Sequence, residues 1–301
     1  MFVQSAIIHR NTLKKYERYF TTINTYKAFY KTVGGNEGDR CYYPTRLDLY
    51  GKGCFYDCKY CYAKQMLNFR KLWNPSNVGV APLLDVYKTI NKIPTGSVVR
   101  LGGMTDCFQP IEVKYHNTYN TIRRLNKKGI HYLIVTKSDL IITEEYLDIL
   151  DHNLAHIQIS IPSTSDEILS ATDNAPRYIR RKVAVETLYE NGFDVSLRLS
   201  PFFFDTVDFD EVNSINVDKC LVEFLRTKPS LENELRDFIN PSDYTVKEGG
   251  YRHLPLDNKL EVLGKLDFKE MTVCDDVNEH YDYFKENFNA NKDDCCNLSI
   301  L

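Results

Sequence analysis

The segment Gly53-Cys54-Phe55-Tyr56-Asp57-Cys58-Lys59-Tyr60-Cys61-Tyr62 sets three cysteines within eight residues. Cys thiolates are the ligands that iron–sulfur clusters take from proteins. Three of them can hold three irons of a 4Fe–4S cluster and leave the fourth iron open. S-adenosylmethionine (SAM) offers an amino and a carboxylate group that could chelate an open iron. One electron from a cluster then cleaves its sulfonium bond to a 5′-deoxyadenosyl radical; the cofactor supplies that chemistry and the protein positions it. Zinc is the alternative, but a structural zinc site closes on four ligands. No fourth Cys or His lies nearby, and the next His is His116.

Such a loop must be carried by elements that expose it at one end of a scaffold. Short apolar runs at 46–50, 97–101, 131–136, 156–161, 194–199 and 218–225 read as strands. Helical patterns start near Tyr62 and cover 115–128, 144–150 and 177–190. Alternating strands and helices argue for βαβ units and a parallel sheet. Right-handed crossovers would curl six such units into a partial (β/α)6 TIM-type barrel, an α/β fold. Its chemistry would lie at the C-terminal ends of the strands. The expected organisation is a basic and aromatic extension at 1–40, the barrel at 41–230, and a C-terminal extension at 231–301.

Four more segments fall at expected strand ends. Gly102, Gly103 and Thr105 follow the second strand, where glycines let a ligand approach the backbone or simply make a turn. Lys137 ends the third strand and could pair with a carboxylate. Ser160 ends the fourth, as a hydroxyl donor or a turn residue. Arg198, on the fifth, alternates with apolar neighbours and should face away from them. A charge directed into a barrel needs a partner.

The spacing of Cys54, Cys58 and Cys61, with the aromatic Tyr60 before the last, resembles the signature of the radical SAM superfamily. The order of cysteine motif, Gly102-Gly103-Met104-Thr105-Asp106, Val135-Thr136-Lys137-Ser138, Ile159-Ser160-Ile161 and Leu197-Arg198 resembles its spore photoproduct lyase branch, over roughly half the chain. The resemblance implies SAM-pocket roles for Tyr60, Gly102, Gly103, Thr105, Lys137, Ser160 and Arg198. It also implies an electron donor of flavodoxin or ferredoxin type. One position departs: Met104 stands where the lyase has a hydrogen-donor cysteine. A thioether cannot donate that hydrogen, so a relative with a different reaction is expected. Cys107, three positions on, is a candidate catalytic donor or a small buried hydrophobe.

Cys274, Cys295 and Cys296 sit near the C-terminal end. They could ligate a second iron–sulfur cluster, with Cys220, Cys41 or a substrate as fourth ligand; zinc or three unrelated thiols are the alternatives. Residues 1–31 interleave Arg10, Lys14, Lys15, Arg18, Lys27 and Lys31 with aromatics, and Arg177, Arg180, Arg181 and Lys182 open a helix. Cations beside stacking rings suit a DNA or nucleotide substrate; a solvated helix face explains them as well.

A net charge of −3 neither demands nor excludes nucleic acid. With no apolar run of membrane length, a cytoplasmic chain with no membrane association is expected, and nine cysteines there are metal ligands or free thiols rather than disulfides. The expected activity is SAM cleavage for repair or modification of a nucleic-acid base. The alternatives are radical chemistry on a metabolite, amino acid or peptide, or a non-catalytic iron–sulfur or zinc protein that binds nucleic acid.

Overall fold

The computed structural model describes residues 24–27, 29–32 and 40–300. Within them the chain forms two units, and the division between His156 and Ile157 falls inside one strand.

The first unit holds β1 (Asn24–Thr25), β2 (Phe29–Thr32), β3 (Thr45–Asp48), β4 (Tyr50–Gly51), β5 (Gly79–Val80), β6 (Val98–Leu101) and β7 (His131–Thr136), and the start of β8 (Ala155–Ser160). Its main ladder runs β2-β3-β6-β7, with β2 antiparallel to β3 and the β3-β6 and β6-β7 pairs parallel. Leu47, Val99, Leu101, Ile134 and Ile122 are fully buried, so the helix Asn117–Lys128 closes an apolar layer. Gly129 follows that helix at φ 61°, a left-handed position that suits glycine. β1, β5 and β4 form a separate small sheet in that order. The expected strand at 46–50 is therefore two strands, interrupted at Leu49.

The second unit continues β8 and adds β9 (Asp194–Phe202), β10 (Lys219–Phe224), the hairpin β11 (Val246–Glu248) with β12 (Tyr251–His253), and β13 (Glu270–Val273). Its ladder runs β8-β9-β10-β13, with β9-β10 and β10-β13 parallel. The helix Tyr178–Glu190 buries Ala184, Val185 and Leu188. The fold is α/β on a mostly parallel sheet, as the alternation predicts. No described helix is long and apolar enough to cross a membrane.

Candidate radical SAM site

In the first unit, the cysteine loop leaves β4 through Gly53. A Cβ there would meet the Asn74 carbonyl oxygen at 2.2 Å, so only glycine fits. The Phe55 N–H donates to Gln109 Oε1 (3.0 Å), and the Tyr56 hydroxyl donates to the Phe108 carbonyl (3.1 Å). Asp57 takes a left-handed φ of 39°. Its carboxylate accepts from Trp73 Nε1 at 3.0 Å and pairs with Lys64 at 3.1 Å, which secures that turn. Cys61 caps the helix Tyr62–Phe69 by accepting the Lys64 N–H.

Burial pushes the Cys54 thiol up to about 12, and the nearby Asp106 carboxylate adds to this. Burial also raises Cys61, against the pull of the Lys64 N–H and the Lys137 ammonium. Buried thiolates with raised pKa values ionise only against a cation. That is the electrostatic setting a cationic iron would complete. All nine cysteines are free thiols. Among the described residues, no three His, Cys, Asp or Glu side chains are arranged to hold a metal ion. The donors fit a cluster by chemistry and chain spacing, and their convergence would come with the metal.

In the second unit, the Lys59 N–H donates to the Thr172 carbonyl at 2.8 Å. The Tyr60 hydroxyl donates to Asp173 Oδ2 at 2.5 Å, and Arg181 pairs with Asp173 at 2.8 Å. The two side chains of that ion pair are 0% exposed. Tyr60, expected in the SAM pocket, is thus held inward by a buried ion pair.

The remaining expected SAM residues divide. The side of Gly103 that a Cβ would occupy is filled by the Arg46 stem, whose Cδ would lie 2.4 Å from it, rather than open to a ligand. Gly102 makes a turn at φ 80°. Thr105 Oγ1 donates to the Tyr50 carbonyl at 2.9 Å. Ser160 Oγ donates to the Ser200 carbonyl at 2.9 Å. Lys137 is half-buried, its N–H held by Asp106 Oδ2 at 2.8 Å and its charge felt by Cys61. Cys107 is 1% exposed and its thiol is pushed well up by burial, which is the packing alternative.

The Arg198 guanidinium donates to Gln158 Oε1 at 2.7 Å and pairs with Glu223, so its charge already has partners within the protein. Burial works against that charge, and Glu223 with the Cys274 and Cys296 thiols overcomes it. The Cys295 thiol is within hydrogen-bonding reach of Cys274 and Cys296, so the three C-terminal cysteines are neighbours in the second unit. Asp294 holds the turn through the N–H groups of Cys296 (2.8 Å) and Leu298 (3.0 Å).

Arg46, Asp48 and Arg100 belong to none of the motifs read from the sequence. The signal was there: each alternates with apolar residues in Arg46-Leu47-Asp48 and Val99-Arg100-Leu101, the pattern that singled out Arg198.

Residues 49–212 match the Radical SAM superfamily. The chain belongs to the radical SAM superfamily. It is 30% identical over 239 residues to the uncharacterised protein MJ0683 of Methanocaldococcus jannaschii, spanning 74% of this chain and 87% of that one. Its fold is similar to that of spore photoproduct lyase. A lyase structure carrying a tyrosine-to-phenylalanine substitution gives a TM-score of 0.61 at 15% identity, covering 87% of this chain and 84% of that one. A substituted lyase with bound AdoMet and dinucleoside spore photoproduct gives 0.56 at 14% identity, covering 78% and 74%. Superfamily membership makes the chain an enzyme associated with a 4Fe–4S cluster and SAM.

Proposed function

We propose that Cys54, Cys58 and Cys61 hold the cluster at which SAM is reductively cleaved, and that the product radical modifies or repairs a nucleic-acid base. The observation that carries this reading is the spacing of three free thiols inside the superfamily-matched segment. The cluster and SAM together supply a one-electron cleavage and a 5′-deoxyadenosyl radical. The chain's residues do the rest. Gly53, Gln109 and Asp57 fix the loop backbone. Lys137 stands beside Cys61, where it would meet the SAM carboxylate. The buried Asp173–Arg181 pair fixes Tyr60.

The nucleic-acid part rests on the fold likeness and on Arg177 and Arg180 at the start of one helix. Arg181 and Lys182 of that cluster are spent on Asp173 and Glu211. Residues 1–23 of the basic, aromatic segment lie outside the described residues. An electron donor of flavodoxin or ferredoxin type and a cytoplasmic setting complete the reading.

A second cluster on Cys274, Cys295 and Cys296 extends the same reading: Cys295 neighbours both others, though the three are not yet arranged around a metal position. Iron counting tests it. A variant with Cys54, Cys58 and Cys61 all changed to Ala should retain about four irons if the tail holds a 4Fe–4S cluster. Iron near zero in that folded variant rules it out.

The reading as a whole is tested by anaerobic reconstitution with SAM and dithionite, followed by mass spectrometry of adenosyl products with single-stranded DNA, nucleotides and amino acids as candidate substrates. Adenosine-derived product that rises only with amino acids would move the substrate out of nucleic acid.

A further inference from the structure

The first unit contains a cationic pair that the cysteine chemistry does not use. β3 and β6 are parallel neighbours, with Arg46 opposite Arg100 and Leu47 opposite Leu101. Residues in register on adjacent strands share a face. Both leucines are fully buried, so the two arginines lie together on the other face. Asp48, two residues after Arg46, shares it.

Around this pair the hydrogen bonding is incomplete. Asp48 is 1% exposed; its Oδ1 accepts the N–H groups of Met104 (2.7 Å) and Thr105 (3.1 Å). Its Oδ2 is buried with no partner, and Arg100 Nε is also buried with no partner, among the described residues. Arg46 lies over Gly103 and donates Nη1 to the Tyr62 hydroxyl at 3.2 Å. Tyr62 directly follows Cys61 and is 36% exposed. The two guanidinium groups therefore share a face with Asp48, Arg100 keeps an unfilled donor, and Arg46 reaches the residue that follows Cys61. Burial pushes Asp48 up to about 6, which weakens even that compensation. Buried polar groups are normally satisfied, and an orphan donor leaves room for a water, an ion or a ligand atom as its partner.

We propose that Arg46 and Arg100 form a seat for an oxyanion of the substrate, a phosphate or a carboxylate, beside Cys61. Guanidinium groups suit both through paired N–H donors. The seat deepens the proposed function by anchoring the substrate while its reacting atom faces the radical. It rests on that reading only for the identity of the bound molecule as substrate.

The test is equilibrium binding to the reconstituted protein. The probes are inorganic phosphate, a thymidine dinucleotide with its phosphodiester, acetate, and SAM. The variants are Arg100→Gln and Arg100→Lys, with Arg46→Gln added where its melting curve shows it folded. Loss of one charge-assisted hydrogen bond should weaken the oxyanion probe on the order of tenfold to a hundredfold in Arg100→Gln. Arg100→Lys should recover part of this, and SAM affinity should not change. A larger loss for the phosphate probes names phosphate as the source, and a larger loss for acetate names carboxylate. Unchanged binding of all three oxyanion probes overturns the seat. An equal loss of SAM affinity also overturns it, because the pair would then serve the cofactor. Failure of wild-type protein to cleave SAM, with oxyanion binding still dependent on Arg100, would sink the proposed function and leave the seat standing.

Discussion

Single side chains decide how charge is handled here, and two of them give sharp expectations. Asp48 has its pKa raised to about 6 by burial, from an ordinary value of 3.8. A carboxyl raised in the folded state stabilises below its unfolded pKa and loses that contribution as pH rises through the folded value. Stability should therefore fall between about pH 4 and pH 6 by roughly 3 kcal/mol from this group. Asp48→Asn keeps an Oδ1 acceptor for Met104 and Thr105 and should remove that fall. Urea melts at pH 4 and pH 7 check it; an unchanged pH dependence in the variant would place the effect elsewhere. Asp173 matters as one half of an ion pair. It pairs with Arg181 where neither side chain is exposed. Asp173→Ala should cost about 3–5 kcal/mol by stranding a buried cation, and a shift in urea midpoint reads it. Lys137→Ala should weaken SAM binding on the order of tenfold to a hundredfold, since it removes one charge-assisted contact. Arg198→Ala should lower stability instead, because Glu223 already takes its charge. Calorimetric titration with SAM separates the two.

At the scale of elements, the sequence was most legible where apolar runs are short and bounded. The expected strands at 131–136 and 218–225 appear as His131–Thr136 and Lys219–Phe224. It was least legible at 46–50. Tyr50 leaves the ladder to pair with Val80 in another sheet, while Asp48 turns to the Met104 and Thr105 N–H groups. No local propensity encodes either partner, 30 and 56 residues away. The pairing of β13 with β10 was not legible either, because the partner lies about 50 residues upstream. The cysteine loop was legible from spacing alone; its rigidity was not. Gly53 owes its identity to the Asn74 carbonyl, a contact made across the loop. Gly53→Ala should therefore destabilise by about 1–3 kcal/mol and lower the iron bound after reconstitution. Full iron content in a variant of wild-type stability would show that the loop yields.

For the whole molecule, the resemblance supplied the superfamily, and the superfamily match together with the lyase-like fold confirms that level. The substrate lies beyond it, since a likeness at 14–16% identity fixes the fold alone. Affinity for single-stranded DNA should fall steeply with salt if phosphate contacts carry it; a flat salt response would favour a free metabolite. The central claim is that Cys54, Cys58 and Cys61 serve SAM cleavage. The most direct measurement is 5′-deoxyadenosine formed under anaerobic conditions with dithionite, quantified by mass spectrometry, in wild type and in the three single Cys→Ala variants. The account predicts product from the wild type and none above background from any variant. Retained product in any one of the three would contradict it.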